Sequence, residues 1–356
     1  MVPSMSKQNL ALVIGARGII GQSIAAHLQT LEGWDVVGVA RRGGPDGPRL
    51  RHLSVDLLDA AATRTALGEL RQVTHVFYSA YQDRPTFAEL VAPNVAMLRN
   101  VLDAVADAPR LRHVSLMQGY KVYGAHLGPF KTPARESDAP HMPPEFNVDQ
   151  QALLAERARG QAWSWTAIRP AVVCGFALGI PLNIAAVVGV YASMSRELGV
   201  PMRFPGKPGA YDKLLEMTDA GMLARATVWA ATEERVAGEA FNVGNGDLFR
   251  WSEMWPRIAA MFGVGVDAPL PMSLATVMAD KEAVWQTMVR KHGLAPTPYG
   301  DVSAWPFGDA VFGWDYDMFG DSSKLRRAGF HEQVETEAMF RQTFAEYRRR
   351  GVLPGV

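Results

Sequence analysis

Cysteine is almost missing from this chain, whose 356 residues include a single one, Cys174. A lone cysteine excludes an internal disulfide framework and fits a reducing compartment, so we expect a cytoplasmic protein. His113, His126 and His141 are scattered without metal-ligand spacing, and no metal site is predicted. The sequence also lacks a GxSxG motif, so nothing indicates a serine nucleophile.

An excess of charge of either sign is missing too, because 36 basic side chains balance 36 acidic ones. Such a chain has no global field that would attract nucleic acid or a membrane surface, and neither is predicted as a partner. Its first ten residues contain no long apolar run of the kind found in secretion signals, and residues 11–14 are far too few to span a bilayer, which takes ~20. Residues 184–191 are apolar but are interrupted by Gly189, which predicts a half-buried helix.

Short β-rich runs alternate with helical patterns through the first half of the chain. This βαβα order predicts an α/β protein with a Rossmann-type, doubly wound parallel sheet. The predicted strands are residues 10–15, 34–40, 53–56, 75–80, 111–118, 163–173 and 240–243. One predicted helix of this half ends near residue 31, and two others cover residues 94–106 and 147–159.

The sequence pattern changes after the sixth predicted strand, where the predicted helices become longer and the loops contain more aromatic residues. We therefore assign residues 1–175 mainly to a dinucleotide-binding domain. Residues 176–356 are assigned mainly to a smaller, mostly helical substrate-binding lobe, with a return to the main sheet near residues 217–245. The aromatic side chains of the C-terminal region are expected to pack in a core. They are Trp285, Trp305, Phe312, Trp314 and Tyr316.

A GxxGxxG motif follows the first predicted strand and opens the first helix. Glycine permits the tight turn and the close approach of backbone to a pyrophosphate, and the free N–H groups of the helix stabilise the phosphates. Because the motif stands in this context, it predicts dinucleotide binding rather than a purely structural turn. The residues assigned to this contact are Gly15, Ala16, Arg17, Gly18, Ile19, Ile20 and Gly21.

Two arginines, Arg41 and Arg42, follow the second strand, where an acidic residue would bind the ribose 2′-hydroxyl of NAD. Guanidinium groups instead suit a 2′-phosphate, which they bind with charge-assisted hydrogen bonds. The pair therefore predicts NADP(H) as the cofactor. The alternative is a pair of solvated loop arginines with no ligand.

The remaining predicted cofactor contacts come from the carboxyl ends of the other strands, where Rossmann-type folds bind their ligands. Asp56 and Leu57 are assigned to the adenine edge. Ser79, Ala80 and Tyr81 are assigned to the path of the nicotinamide ribose. The set is completed by Gln118, Lys121, Pro170, Val172 and Val173.

Several longer motifs resemble one family, the progesterone 5β-reductase/iridoid synthase-like extended short-chain dehydrogenases. Residues 116–123, LMQGYKVY, are similar to the family's LQTGxKHY, and residues 144–146, PEF, to the start of its PNFYYxxED. Further similarities are IRP at 168–170, GF at 175–176, LGVPMRFPG at 198–206, WAA at 229–231 and EAFNVGNGD at 239–247. The resemblance covers nearly the whole chain and implies reduction of activated C=C bonds with NADPH.

By this resemblance Lys121 corresponds to the family's active-site lysine, whereas the position of its catalytic tyrosine is Val148. Valine can neither donate a proton nor hydrogen-bond an oxyanion. Three replacements stay open: a phenol from Tyr123 or Tyr120, an amide donor from Asn147, or a strongly activated substrate that needs only Lys121. We assign Tyr123 as the second catalytic candidate. The predicted substrate contacts are Phe146, Asn147, Val148, Phe176 and Met202.

The sequence thus predicts an NADPH-dependent oxidoreductase acting on a small hydrophobic enone or related carbonyl compound. Two alternatives stay open: an NAD(P)-dependent lyase, isomerase or epimerase that uses transient oxidation, and a non-catalytic NADP(H)-binding sensor. Helices near residues 90–106 and 147–159 offer a face for a homodimer, although a stripe facing the sheet looks the same in sequence.

Overall fold

The computed structural model describes residues 8–356, so most of the opening segment judged above for a secretion signal lies outside the described residues. Seven strands form one parallel sheet in the order β3-β2-β1-β4-β5-β6-β9, and β7 pairs with β8 in a separate two-stranded sheet. The strands are β1 Asn9–Ile14, β2 Trp34–Ala40, β3 Leu50–Ser54, β4 His75–Tyr78, β5 His113–Met117, β6 Ser164–Pro170, β7 Val172–Cys174, β8 Met217–Asp219 and β9 Glu239–Val243.

Helices cover both faces of the main sheet, which is the predicted doubly wound arrangement. On one face α1 packs beside α6, and on the other α2, α3 and α4 pack in a row. The helices are α1 Ile19–Thr30, α2 Ala60–Gly68, α3 Phe87–Val105, α4 Phe146–Ala158, α5 Ile184–Glu197, α6 Ala220–Thr232, α7 Trp251–Met261, α8 Leu274–Val277, α9 Glu282–His292, α10 Tyr299–Val302, α11 Trp305–Phe312, α12 Ser323–Ala328 and α13 Thr336–Arg349. The central strands are buried on both sides, as a parallel sheet between two helical layers requires.

The return of the chain to the main sheet is observed at β9, which pairs in parallel with β6. The predicted strand over residues 163–173 was wrong in one respect, because it is two strands. After Pro170 the chain leaves β5 and β9, and Val172 pairs with Met217 in the small sheet. That small sheet joins the Rossmann part to the rest of the molecule.

Two other predicted boundaries were wrong. The helix expected to start at Asn94 starts at Phe87, because Thr86 and Glu89 form a reciprocal capping box upstream of Pro93. The strand expected at residues 53–56 is β3, Leu50–Ser54, where Leu50 pairs with Val36 of β2. This edge strand is partly exposed and has little apolar pattern to fix its ends.

The residues assigned to the second lobe pack in a core around α5, which also includes Tyr120 and Tyr123. The expectation of a half-buried helix was wrong, because every residue from Ile184 to Ser195 is buried. Gly189 makes this possible, since an added Cβ there would lie 2.8 Å from Leu353 Cδ1. Packing of the C-terminal aromatics is confirmed: Trp285 and Phe312 are each 1% exposed, and the others lie in or against the same core. Within residues 8–356 no helix is long and apolar enough to cross a membrane.

Candidate functional site

The glycine loop joins β1 to α1 at the carboxyl edge of the main sheet. Gly15 has a φ of 82°, and a Cβ there would lie 2.8 Å from the carbonyl oxygen of Ser79. At Gly21 a Cβ would lie 2.3 Å from the carbonyl oxygen of Gly15, so only glycine lets the loop close against the helix. The predicted tight turn is therefore present.

The N-terminus of α1 is well suited to an anion. Its N-cap, Gly18, supplies no side-chain acceptor, and its first turn contains no acidic residue. The N–H groups of such an unprotected helix end and its positive dipole favour a phosphate. Ala16 is held in place because its N–H donates to the carbonyl oxygen of Val39 at 3.1 Å.

Three arginines stand beside this helix end. Arg17 Nη1 donates to the carbonyl oxygen of Gly43 at 3.3 Å, which brings it to the loop that carries Arg41 and Arg42. The last two are exposed, and among residues 8–356 no carboxylate forms an ion pair with any of the three. Ser54 fixes the loop by donating its hydroxyl to the carbonyl oxygen of Arg41 at 2.8 Å. The residues present therefore fit a dinucleotide, and the free guanidinium groups fit an additional phosphate.

The next strand ends carry the other predicted cofactor contacts. Asp56 is exposed after β3 and accepts a hydrogen bond from the Leu58 N–H at 3.0 Å, while Leu57 is buried. Ser79, after β4, donates to the carbonyl oxygen of Ile14 at 2.8 Å. These bonds fix the loops along one edge of the sheet, but contact with a cofactor stays a prediction.

Lys121 follows β5 in a 3-10 turn, Tyr120–Tyr123, that ends at Gly124 with a φ of 78°. Its Nζ lies 5.6 Å from the centre of the Tyr81 ring, and that ring is 5.6 Å from the ring of Phe146. The ends of β4 and β5 and the start of α4 therefore converge on one small volume.

Lys121 is half-buried and lies near two carboxylates. Burial lowers the pKa of Lys121, and the charges of Glu145 and Asp83 oppose that change. Burial also lowers the pKa of His126 to about 4, with a further contribution from Lys121, so this neighbouring imidazole is neutral at pH 7. Lys121 is thus a partly desolvated amine, which is the kind of group that is found at reactive sites.

The hydroxyl of Tyr123 forms hydrogen bonds with two buried side chains and not with Lys121. Its hydroxyl donates to Asn242 Oδ1 at 2.6 Å and accepts from Arg169 Nη1 at 3.0 Å, and the side chain is 3% exposed. Burial raises the pKa of Tyr123 to about 12. The hydroxyl of Tyr120 is likewise buried and donates to Glu216. A catalytic role for Tyr123 stays a prediction: its hydroxyl is engaged by protein groups, and the residue lines a pocket together with Phe130 and His141.

A buried arginine, which the sequence prediction missed, organises the base of the site. Arg169 Nε donates to Gln118 Oε1 and Nη2 donates to Gln151 Oε1, both at 2.9 Å. Gln118 in turn donates to the carbonyl oxygen of Asn147 at 2.6 Å. These bonds connect β5, β6 and α4, so both ends of Gln118 are occupied by protein. The signals in the sequence were a charged residue at the end of an apolar strand and its place in the IRP similarity at residues 168–170.

Glu145 is a second residue that the prediction missed. It caps α4, accepting from the Val148 N–H at 3.2 Å and from Asn147 Nδ2 at 2.8 Å. Burial raises its pKa, while the bonds from Asn147 and Val148 and the charge of Lys121 lower it. Phe146 is buried beside Tyr81, whereas Val148 is half-buried against the core of the second lobe. Of these neighbours, only Asn147 has a side chain that donates a hydrogen bond.

The remaining predicted substrate and cofactor contacts include Met202, Phe176, Val172 and Val173. Met202 is fully buried, so its side chain offers no surface to a substrate in this conformation. Phe176 packs on Tyr347, with ring centres 4.8 Å apart, and under the guanidinium of Arg350. Val172 and Val173 lie in β7, directly after the buried Pro170. Substrate and cofactor roles for these residues stay predictions.

Solved structures with the same architecture bind nucleotides. The chain superposes on a UDP-glucose 4-epimerase with UDP-glucose from Thermotoga maritima with a TM-score of 0.70 at 17% identity, covering 96% of this chain and 99% of that one. A Thermus thermophilus UDP-glucose 4-epimerase complex with NAD gives a TM-score of 0.68 at 19% identity, with coverage of 95% and 99%. Identities this low establish the fold alone. The fold and the glycine loop define a Rossmann-like α/β protein of the kind that holds a nicotinamide cofactor.

Sequence comparison is more specific. A family model described as a PRISE-like Rossmann-fold domain matches residues 49–354. The chain is 36% identical to an (S)-8-oxocitronellyl enol synthase of Camptotheca acuminata, over 91% of this chain and 87% of that protein. It is 33% identical to a 3-oxo-Delta(4,5)-steroid 5-beta-reductase of Arabidopsis thaliana, over 99% and 95%. The chain belongs to the PRISE family, the progesterone 5β-reductase/iridoid synthase-like proteins. It is an oxidoreductase enzyme of the extended short-chain dehydrogenase kind.

Proposed function

We propose that this protein is an NADPH-dependent reductase that transfers hydride to the C=C bond of an α,β-unsaturated carbonyl compound or to a related activated carbonyl. The observation that carries the proposal is the partly desolvated Lys121 at the carboxyl edge of the sheet, 5.6 Å from the ring of Tyr81, which is assigned to the nicotinamide ribose. The name of the Arabidopsis relative states a steroid 5-beta-reduction, which supports a reductive reaction in this family member too.

The choice of NADP(H) over NAD(H) rests on Arg17, Arg41 and Arg42. A 2′-phosphate beside three guanidinium groups gains charge-assisted hydrogen bonds, whereas a bare ribose diol finds no acceptor among them. When bound, the cofactor supplies the hydride. The N-terminus of α1 would hold its pyrophosphate, and the arginine loop would hold its 2′-phosphate.

In this proposal Lys121 stabilises the negative charge that develops on the substrate. Conjugate addition of hydride leaves negative charge on the carbonyl oxygen of the substrate, and an ammonium in an apolar site stabilises that charge more strongly than it would in water. Phe146 and Tyr81 exclude water on one side of the amine. This apolar wall is compatible with a small hydrophobic substrate.

The proposal is tested by titrating the protein with NADPH and NADH, following nicotinamide fluorescence, and then adding small enones and aldehydes. The variants are Lys121→Met and the matched control Lys281→Met, a half-buried lysine paired with Asp280. Preferential NADPH binding and oxidation that is lost only in Lys121→Met would support a reductase. Binding without oxidation by any compound would favour a lyase, isomerase or epimerase reaction or a sensor, and no nucleotide binding would overturn the cofactor assignment.

A further inference from the structure

In the proposed reduction, the substrate oxygen has no assigned proton donor. The inference made here rests on that proposed function. Besides the lysine, an enolate oxygen needs a hydrogen-bond or proton donor. Val148 has none to offer. The amide of Asn147 already donates to Glu145 Oε1 at 2.8 Å.

The two tyrosines that flank Lys121 in sequence are both committed to buried bonds. Tyr120 donates to Glu216 Oε2 at 2.7 Å, and Tyr123 donates to Asn242 Oδ1 at 2.6 Å. Releasing the Tyr123 hydroxyl would leave the buried Asn242 Oδ1 without a donor, which costs about 1–3 kcal/mol. Releasing the Tyr120 hydroxyl would remove one of the two hydrogen bonds to Glu216 Oε2. Their enclosure leaves the donor role to another side chain.

We propose that Tyr81 is this donor and acts as a catalytic residue together with Lys121. The centre of its ring lies 5.6 Å from the Lys121 Nζ and 5.6 Å from the centre of the Phe146 ring. Its hydroxyl is only half enclosed and donates at 2.7 Å to Asp83, an exposed carboxylate. Rotation about the phenol C–O bond redirects this hydrogen without any movement of the ring.

The backbone beside Tyr81 is fixed, as a catalytic group requires. The fully buried Asn94 of α3 accepts from the Gln82 N–H at 2.9 Å and returns a bond to the Gln82 carbonyl oxygen at 2.8 Å. Gln150 of α4 donates to the carbonyl oxygen of Asn94 at 2.8 Å. One chain of bonds therefore sets the distance between the Tyr81 loop and the helix that carries Phe146.

The proposed step is balanced as follows. Hydride from NADPH forms a C–H bond at the β-carbon, and the cofactor is oxidised. The C=C π pair becomes the new double bond between the α-carbon and the carbonyl carbon, and the C=O π pair moves to the oxygen. The Tyr81 O–H bond breaks as its proton passes to that oxygen, giving an enol that tautomerises to the saturated carbonyl compound in water. Water then reprotonates the phenolate, which burial and Asp83 favour because both raise the pKa of Tyr81.

The first test compares Tyr81→Phe with Tyr299→Phe, a half-buried control phenol whose hydroxyl also makes one hydrogen bond, to the carbonyl oxygen of Met278. We expect Tyr81→Phe to lower kcat by ~10²–10³, as for loss of one oxyanion donor. The affinity for NADPH should stay within about threefold, because the ring is retained. A wild-type solvent deuterium isotope effect on single-turnover NADPH oxidation should disappear in Tyr81→Phe. Wild-type kcat in this variant would overturn the assignment.

The second test does not depend on turnover. 4-Nitrophenol mimics an enolate oxygen, and its absorbance reports its ionisation. We expect wild-type protein to bind 4-nitrophenolate and to lower the pKa of the bound ligand, with at least tenfold weaker binding in Tyr81→Phe. Equal affinity in the two proteins, or no saturable binding to wild type, would overturn the donor role. If wild type binds in this way but reduces no enone, the reductase proposal fails and the donor assignment stands.

Discussion

The hydroxyl of Tyr120 donates a hydrogen bond to Glu216 Oε2 at 2.7 Å, although 96 residues separate the two in the chain. The Gly320 N–H donates to the same oxygen at 3.1 Å. Gly244 faces this carboxyl so closely that an added Cβ would lie 1.7 Å from Oε1. One buried acid thus ties the turn that carries Lys121 to the second lobe.

This acid should make stability depend on pH. Burial raises the pKa of Glu216 from 4.5 to about 7. Between these values the folded protein holds more protons than the unfolded chain, so the free energy of unfolding falls as pH rises and is lowest above pH 7. The difference corresponds to about 3 kcal/mol at most. We expect Glu216→Gln to remove this slope in urea unfolding measured from pH 4.5 to 8; parallel curves for variant and wild type would contradict the prediction.

The charge around Lys121 should set the alkaline limit of activity. If the ammonium is the active form, kcat falls as pH rises through the pKa of Lys121, which burial lowers and Glu145 raises. Glu145→Gln removes the opposing charge, so the descending limb of the pH–kcat profile should move to lower pH. The exposed Glu239→Gln serves as the control, since Glu239 pairs with Lys324. A limb that stays in place or moves to higher pH would refute the assignment.

The arginine loop should decide between the two nicotinamide nucleotides. Replacing Arg41 or Arg42 by Ser removes a charge-assisted contact to a 2′-phosphate and should weaken NADPH binding about tenfold at low salt. NADH affinity should not change, and the difference should shrink as salt is added. Arg64→Ser, on the exposed side of α2, is the control. Fluorescence titration reads out both nucleotides, and equal losses for them would contradict recognition of the phosphate.

Tyr123 should contribute to stability. Tyr123→Phe deletes a hydroxyl that serves both Asn242 and Arg169, and the unpaired buried groups should lower the free energy of unfolding by about 1–3 kcal/mol. Arg169 would keep its bond to the carbonyl oxygen of Glu136. The urea midpoint measures the effect. An unchanged midpoint combined with a hundredfold loss of kcat would instead identify Tyr123 as the catalytic phenol.

Local pattern was enough to predict most of the Rossmann part. The strand Trp34–Ala40 was predicted with its bounds, because a short run rich in β-branched residues separates two turns. The prediction failed where a distant partner decides the structure. Thr86 begins α3 by a capping box upstream of Pro93, and β6 ends at Pro170 because Val172 pairs with Met217.

In the candidate site too, local motifs could be predicted from the sequence and contacts between distant residues could not. Lys121 and the glycine loop stand in contiguous motifs and could be found from sequence. The bonds of Arg169 reach Gln118, 51 residues away, and the hydroxyl of Tyr123 reaches Asn242, 119 residues away. No local pattern encodes such pairs. The prediction therefore named Tyr123 for its position next to Lys121, without information on where its hydroxyl points.

The position of β9 has a consequence for the chain while it is being synthesised. β6 pairs on one side with β5 and on the other with β9, which is made about seventy residues later. Until Glu239–Val243 leaves the ribosome, β6 is an open edge that offers unpaired N–H and C=O groups to other chains. A fragment cut after residue 175 would keep that edge permanently, so we expect it to aggregate rather than to behave as a free-standing nucleotide-binding module.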